Sequence, residues 1–276
     1  MIGKKIRLVV SDLDGTLLRD DKKISDASRA AVYAAARKGI RFSVCTGRVQ
    51  PMIAYYLKDL KLETPVITAN GALIWDPVEK KTLWQLPMVG EEVLKLLKFC
   101  RENSLDYSAL TMSTSYFSPG NIRKWRFDQY NQIAGENGFP EMALDTFDDD
   151  FACIRGINVL KILIYEVKEG QLQLARDFID SLEMTGYTSS DDNLLDVSHK
   201  DVSKGMGLVQ LARILDIPAD QVCAVGDYEN DVSMLNASGF PVAMGNGCDS
   251  VRKAAEFVTR SNNEDGVAWM IEQCLL

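Results

Sequence analysis

Two acids two residues apart, Asp12 and Asp14, stand in Asp12-Leu13-Asp14-Gly15-Thr16-Leu17, directly after an apolar run. At that spacing both carboxylates lie on one side of an extended segment, and Gly15 lets the chain turn sharply beside them. A calcium loop would share Asp12, Asp14 and Thr16, but it needs further acids and a closing Glu, and Leu17 and Leu18 occupy that ground. A second acidic element is Gly226-Asp227-Tyr228-Glu229-Asn230-Asp231, in which Asp227 and Asp231 are one helical turn apart. Acids at a helix start are by themselves complements to the helix dipole. Four carboxylates brought together would instead repel one another and require positive charge.

Two sources of that charge suggest themselves. Lys204, in Val202-Ser203-Lys204-Gly205, falls at a predicted helix start, where the dipole disfavours a cation and an anion would be attractive. A divalent ion is the other source. With only hard oxygen ligands nearby, Mg²⁺ is favoured over zinc or copper. Thr46-Gly47-Arg48 adds a hydroxyl and backbone N–H groups suited to a phosphate oxygen. The chain has one histidine, His199, so an HExxH zinc site is excluded and any His-dependent triad must pass through it. It sits in a polar stretch that reads as a solvated loop.

These groups need elements that bring them together. Ile6 to Ser11, Ile40 to Cys45, Pro65 to Ala69, Val222 to Gly226 and Phe240 to Met244 are short apolar runs typical of buried parallel strands. Four of the runs end at Asp12, Thr46, Asn70 and Asp227. Helices are predicted over Asp26 to Lys38, with Ser25 as N-cap and Gly39 closing it, over Pro51 to Leu60, from a Ser203 cap through Leu215, and over Glu264 to Leu275. Alternating strands and helices predict an α/β fold with a parallel sheet, whose ligands bind outside the strands' carboxyl ends. Between Leu83 and Asp192 the character changes to helices over Gly90 to Asn103 and Gln171 to Glu183 and strands near Tyr107 to Met112 and Leu160 to Glu166, an inserted α+β domain. The expected division is a catalytic core of residues 1–82 and 193–276 and an insert of 83–192.

Composition narrows the partners. With 39 acidic against 31 basic residues and a net charge of −8, a general nucleic-acid surface is not expected, and a small molecule is. No run approaches the roughly 18 apolar residues of a membrane span, and no signal peptide is evident, so a cytoplasmic protein with no membrane partner is expected. The six cysteines lie far apart with no CxxC pair and read as free buried thiols.

DLDGTL, CTGR, VSKG and GDYENDVSML, in that order, resemble the four motifs of the haloacid dehalogenase superfamily of phosphohydrolases. The insertion, Asn70-Gly71-Ala72 and the AMGN at Ala243 to Asn246 are similar to its Cof-type branch, and the likeness covers essentially the whole chain. The resemblance implies a Rossmann-like core with an α/β cap. It implies that Asp12 attacks phosphorus to form an aspartyl-phosphate, and that Asp14 protonates the leaving oxygen and then activates water. Such roles fit two carboxylates, one ionised and one able to hold a proton. It further implies Mg²⁺ on Asp12, the Asp14 backbone and Asp227, with Asp231 in the outer shell. Thr46, Gly47, Lys204, Asn230 and the Leu13 backbone would hold the phosphoryl group, over whose oxygens charge spreads.

By the same resemblance the substrate is a small phosphorylated metabolite of the sugar phosphate, pyridoxal phosphate or flavin mononucleotide class. The cap would close over the crevice and select the leaving group. Its segment Tyr116 to Tyr130 carries five aromatics with Arg123, Lys124 and Arg126, read as cap core and a solvated basic face. The alternatives are a phosphomutase, with Arg123 and Arg126 holding a second phosphate, and a sensor that binds a phosphorylated ligand without turnover. Asp196 and His199 read as loop residues.

Overall fold

A computed structural model describes residues 5–191 and 193–276. In chain order its first elements are β1 (Leu8–Ser11), α1 (Asp26–Arg37), β2 (Arg41–Val44), α2 (Ala54–Asp59), β3 (Val66–Thr68), β4 (Leu73–Asp76) and β5 (Lys81–Gln85). There follow α3 (Gly90–Glu102), β6 (Asp106–Leu110), β7 (Thr114–Phe117), α4 (Lys124–Glu136), β8 (Ala143–Thr146), β9 (Lys161–Tyr165), α5 (Gln171–Ile179), β10 (Thr185–Asp191) and β11 (Leu194–His199). The chain then forms α6 (Lys204–Ile214), β12 (Val222–Gly226), α7 (Val232–Asn236), β13 (Phe240–Ala243), α8 (Asp249–Ala254), β14 (Phe257–Val258) and α9 (Gly266–Met270).

The chain divides into two compact units. The first takes the described residues of Met1–Gly47, Tyr56–Trp84 and Ser203–Leu276, and the second takes Arg48–Tyr55 and Gln85–Val202. In the first unit a five-stranded parallel sheet runs β14-β13-β12-β1-β2. Leu8, Val9 and Val10 of β1 and the whole of β12 are buried, as expected of strands covered on both faces. β1 lies between β12 and β2, so its end at Asp12 opens between the ends of two neighbours. Caps fix where the helices start: Ser25 Oγ accepts from the Ser28 amide at 3.0 Å and Ser203 Oγ from the Met206 amide at 3.0 Å.

Three expectations for individual elements change. The run Pro65 to Ala69 forms β3, which pairs antiparallel with β4 and meets β2 through one parallel bridge, Cys45 to Ile67. After Arg48 the chain makes a 3-10 turn over Gln50–Ile53 before α2, because Pro51 sits where a helix begins. The last helix starts at Gly266 rather than Glu264, since Asp265 is in the left-handed region at φ 59°, and it ends in a wide turn over Ile271–Leu275.

The second unit is a six-stranded sheet in the order β10-β11-β9-β6-β7-β8, antiparallel except for β7 with β8. Alternation in β6, β9 and β11 turns Tyr107, Ile162, Ile164, Leu195 and Val197 into one apolar core with Val93, Leu96 and Leu97 of α3 and Leu172, Ala175 and Ile179 of α5. Phe117 meets Phe127 of α4 edge to face, 4.9 Å between centroids, so part of the Tyr116 to Tyr130 segment is core, while Trp125 is 55% exposed. His199 is no loop residue: it ends β11 and is buried, and Asp196 on the same strand is buried in an ion pair with Lys161. All six cysteines are free, with Cys45, Cys100 and Cys223 fully enclosed and Cys153, Cys248 and Cys274 partly exposed. Among the described residues, no helix is long and apolar enough to cross a membrane.

Candidate active site

Everything placed at the carboxyl ends of β1 and β12 belongs to the first unit. Asp12 follows β1, and its amide is tied to the Val225 carbonyl of β12 at 2.9 Å. Asp227 follows β12 directly. Lys204, the first residue of α6, is only 2% exposed, and its Nζ donates to Asp12 Oδ1 at 2.6 Å and to Asp231 Oδ1 at 2.5 Å. Asp12, Asp227 and Asp231 offer carboxylate oxygens all within 4.8 Å of one another. Two acids therefore grip one buried ammonium, and a third lies beside them.

The link between Asp227 and Asp231 differs from a shared helix face. The chain makes a 3-10 turn over Glu229–Asp231, and Asp231 Oδ2 folds back to accept from the Asp227 and Tyr228 amides at 2.9 and 3.1 Å. Its other oxygen is thereby left to Lys204. α6 comes this close to α7 because residue 205 is glycine: a Cβ there would stand 2.3 Å from the Ser233 carbonyl oxygen.

Burial raises the Asp12 pKa well above the usual carboxylate range; Lys204 opposes that shift, and the Asp231 and Asp227 charges add to it. Asp227 is pushed up to about 6, first by burial, against the hydrogen bond from Thr16 Oγ1 at 2.6 Å, with Asp231 adding to the rise. For Lys204 burial works against the charge, but Asp12 and Asp231 outweigh it and hold the pKa well above that of an ordinary lysine. Fully ionised, the three acids would carry more negative charge than one lysine offsets, which is why the Asp12 and Asp227 pKa values rise.

That excess, and an all-oxygen donor set, fit a hard divalent cation. Gly15 fits it too. Its φ is +77°, and a Cβ would lie 2.4 Å from Asp227 Oδ2, so only glycine lets the backbone after Asp14 approach the Asp227 carboxylate.

Thr46 and Gly47 follow β2. The Thr46 carbonyl accepts from the Asn70 amide at 3.0 Å, and Asn70 Oδ1 would sit 2.8 Å from a Cβ on Gly47. Asn230 Nδ2 reaches the same Asn70 oxygen at 3.4 Å, joining this loop to the Asp231 turn. Asn70 itself adopts φ 56°, a conformation asparagine tolerates better than most residues. Leu13 is buried, and its carbonyl accepts from the Leu18 amide at 2.8 Å. The structure thus brings together Asp12, Lys204, Asp227 and Asp231, and next to them Thr46, Gly47 and Asn230.

Asp14 stands outside the three-acid group. Its side chain is 39% exposed and pairs with Lys22 at 3.1 Å. Thr16 and Asn246, which the quoted motifs contain without a role, and Lys22, which lies outside them, are site neighbours. Asn246 Nδ2 donates to the Gly15 carbonyl at 2.8 Å while its Oδ1 accepts from the Asn262 amide at 3.0 Å. The turn after Asp14 is thereby pinned to the loop after β13.

The first unit is thus a parallel α/β core that carries a carboxylate-rich centre with one buried lysine at its strand ends. The family model of haloacid dehalogenase-like hydrolases matches residues 9–271. The chain is 31% identical to phosphatase YwpJ of Bacillus subtilis, over 98% of this chain and 100% of that one. It is 29% identical to the 5-amino-6-(5-phospho-D-ribitylamino)uracil phosphatase YcsE of the same organism, over 98% and 96%. A solved haloacid dehalogenase-like hydrolase from B. subtilis superposes with a TM-score of 0.84 at 30% identity, covering 98% of this chain and all of the other. The chain belongs to the haloacid dehalogenase-like hydrolases, and within them it is a phosphatase.

Proposed function

We propose that the protein is a Mg²⁺-dependent phosphatase of small phosphorylated metabolites that works through an aspartyl-phosphate on Asp12. The observation that carries this reading is the buried Asp12 carboxylate, oriented at one oxygen by Lys204 and placed among Asp227, Asp231 and the Thr46-Gly47 loop. Its second oxygen attacks phosphorus. As the Asp12–phosphorus bond forms, the ester oxygen leaves and takes a proton from Asp14. Asp14, now a carboxylate, then takes a proton from water; the water oxygen bonds to phosphorus, the Asp12–phosphorus bond breaks and inorganic phosphate departs.

Lys204, Thr46, Gly47, Asn230 and the Leu13 backbone hold the phosphoryl oxygens, on which most of the developing charge resides. Asp12, the Asp14 backbone carbonyl and Asp227 would hold Mg²⁺, with Asp231 in its outer shell. When bound, the cation neutralises the repulsion between carboxylate and phosphate. Residues 83–192 serve as the cap that selects the leaving group. Candidate substrates are sugar phosphates, pyridoxal phosphate and flavin mononucleotide, and the substrate that YcsE is named for adds an open-chain phosphoribityl compound to that class.

Phosphate release from a panel of these monoesters, with Mg²⁺ or with EDTA, tests the proposal on the wild type and on folded Asp12→Asn. Metal-dependent release lost in Asp12→Asn is the expected result. Transfer of phosphate between positions of a sugar bisphosphate without release would convert the reading to a mutase. Binding without turnover across the panel would sink it.

A further inference from the structure

The two acids of the first motif live in different surroundings. Asp12 is buried on Lys204, whereas the Asp14 carboxylate faces solvent and accepts from the ammonium of Lys22 at 3.1 Å. Lys22 is a residue that neither the motifs nor the proposed chemistry uses. Its backbone is held on several sides. The turn closes through Lys22 N–H to the Arg19 carbonyl at 2.9 Å and Arg19 N–H to the Lys23 carbonyl at 3.1 Å, and the hydroxyl of buried Tyr56 donates to the Lys22 carbonyl at 3.1 Å. Lys22 adopts φ 62°, where glycine or asparagine would be the easier residue.

The turn is also anchored to the segment that carries Asp14. Leu18 bridges to Asp14, Arg19 Nη2 donates to both carboxylate oxygens of Asp265 at 2.7 and 2.8 Å, and Asn262 Nδ2 donates to both the Leu18 carbonyl and Asp20 Oδ1 at 3.0 Å. A lysine in a left-handed turn pinned from both sides has its Cα fixed relative to Asp14. Its side chain needs to settle only into one reach, and that reach ends on the carboxylate.

We infer that Lys22 is a positioning residue for Asp14, holding Oδ1 so that the other carboxyl oxygen, which carries the proton, meets the leaving-group oxygen. The inference rests on the roles given above to Asp12 and Asp14. Lys22 exchanges no proton with substrate; it narrows the positions open to the Asp14 side chain while proton transfer is awaited. Because the pair is part-exposed, its influence is modest.

The test compares Lys22→Met and Lys22→Arg with wild type on two monoesters, p-nitrophenyl phosphate, whose leaving group needs little protonation, and the best alkyl phosphate of the panel. Methionine keeps the stem and meets the same backbone conformation, so the comparison isolates the ammonium. Lys22→Met is expected to lower kcat/KM for the alkyl phosphate by roughly two- to fivefold, with kcat/KM for p-nitrophenyl phosphate hardly affected, because that ratio excludes the hydrolysis step the two esters share, and Lys22→Arg is expected to restore the rate. Equal losses of kcat/KM on both esters, or no change, would overturn the inference. Asp14→Asn separates it from the reading beneath: an Asp14→Asn enzyme as active as wild type removes both, whereas an inactive one beside an unimpaired Lys22→Met removes the Lys22 inference alone.

Discussion

Buried carboxylates in the two units are treated in opposite ways. In the first, Asp12, Asp227 and Asp231 share a single lysine, and the pKa values of Asp12 and Asp227 are raised. In the second, Glu92 of α3 is as little exposed as Asp12, yet burial, which pushes its pKa up, is outweighed by hydrogen bonds from the Thr185 hydroxyl and the Met184 and Glu183 amides, and the pKa is lowered. Those bonds run from 2.6 to 3.1 Å and fasten α3 to the start of β10. A carboxylate whose oxygens are all satisfied by its own chain is a fastening. Carboxylates left with surplus charge need something from outside, and a cation and a phosphate are what the first unit's cluster would accept.

Asp12→Asn should separate function from stability most sharply. Activity is expected to fall by roughly a thousandfold or more, since the proposed nucleophile is gone. Without divalent ion, the thermal midpoint should stay level or rise, because one of three acids sharing Lys204 has become neutral. A variant that melts well below wild type in EDTA would mean that Asp12 is a fastening after all.

Lys204→Met attacks the same cluster from its positive side. Removing the ammonium leaves buried carboxylates without their partner, a loss of about 3–5 kcal/mol, read as a lower thermal midpoint in EDTA together with lost activity. An unchanged midpoint would show that the acids do not depend on the lysine. Mg²⁺ added to the wild type acts in the opposite sense, by about 2.7 kcal/mol at a hundredfold excess over its dissociation constant, and by less in Asp12→Asn. Equal shifts in the two proteins would place the ion elsewhere.

The first unit's site was far more legible in the sequence than the second unit's fastening, for a physical reason. Parallel strands in one sheet end on the same side, so Asp12, Thr46 and Asp227, each printed at the end of an apolar run, had to converge. Ser25 and Ser203 marked helix starts because a cap is local chemistry. Lys22 gave no such signal: its pairing with Asp14 depends on a left-handed turn in a residue that does not favour one. Glu92 looked like any acid in a first helical turn, since its partners lie 91 to 93 residues away. The strand β10, TGYTSSD, is polar and lacks a clear alternation, and so passed unread. The three-residue β3 reads as a parallel strand in the sequence because burial alone does not reveal the direction of its neighbour.

Glu92→Gln gives the smallest effect and tests the other half of the contrast. Glutamine keeps an acceptor for Thr185 and the Met184 amide but loses the charge that strengthens those bonds, so stability should fall by about 1 kcal/mol at neutral pH. The folded pKa lies below the unfolded one, near 4.3 for glutamate. The contribution of the ionised group is therefore complete above the unfolded value and disappears as pH falls through the folded one. Denaturant titrations of wild type and variant should show a constant gap from about pH 5.5 to 8 that closes below about pH 4. Neither kcat nor the Mg²⁺ shift should change, because no oxygen of Glu92 awaits a ligand. A gap that widens in acid, or that responds to Mg²⁺, would mean that the second unit's carboxylate is poised as the first unit's are, and the distinction between fastening and site would fail.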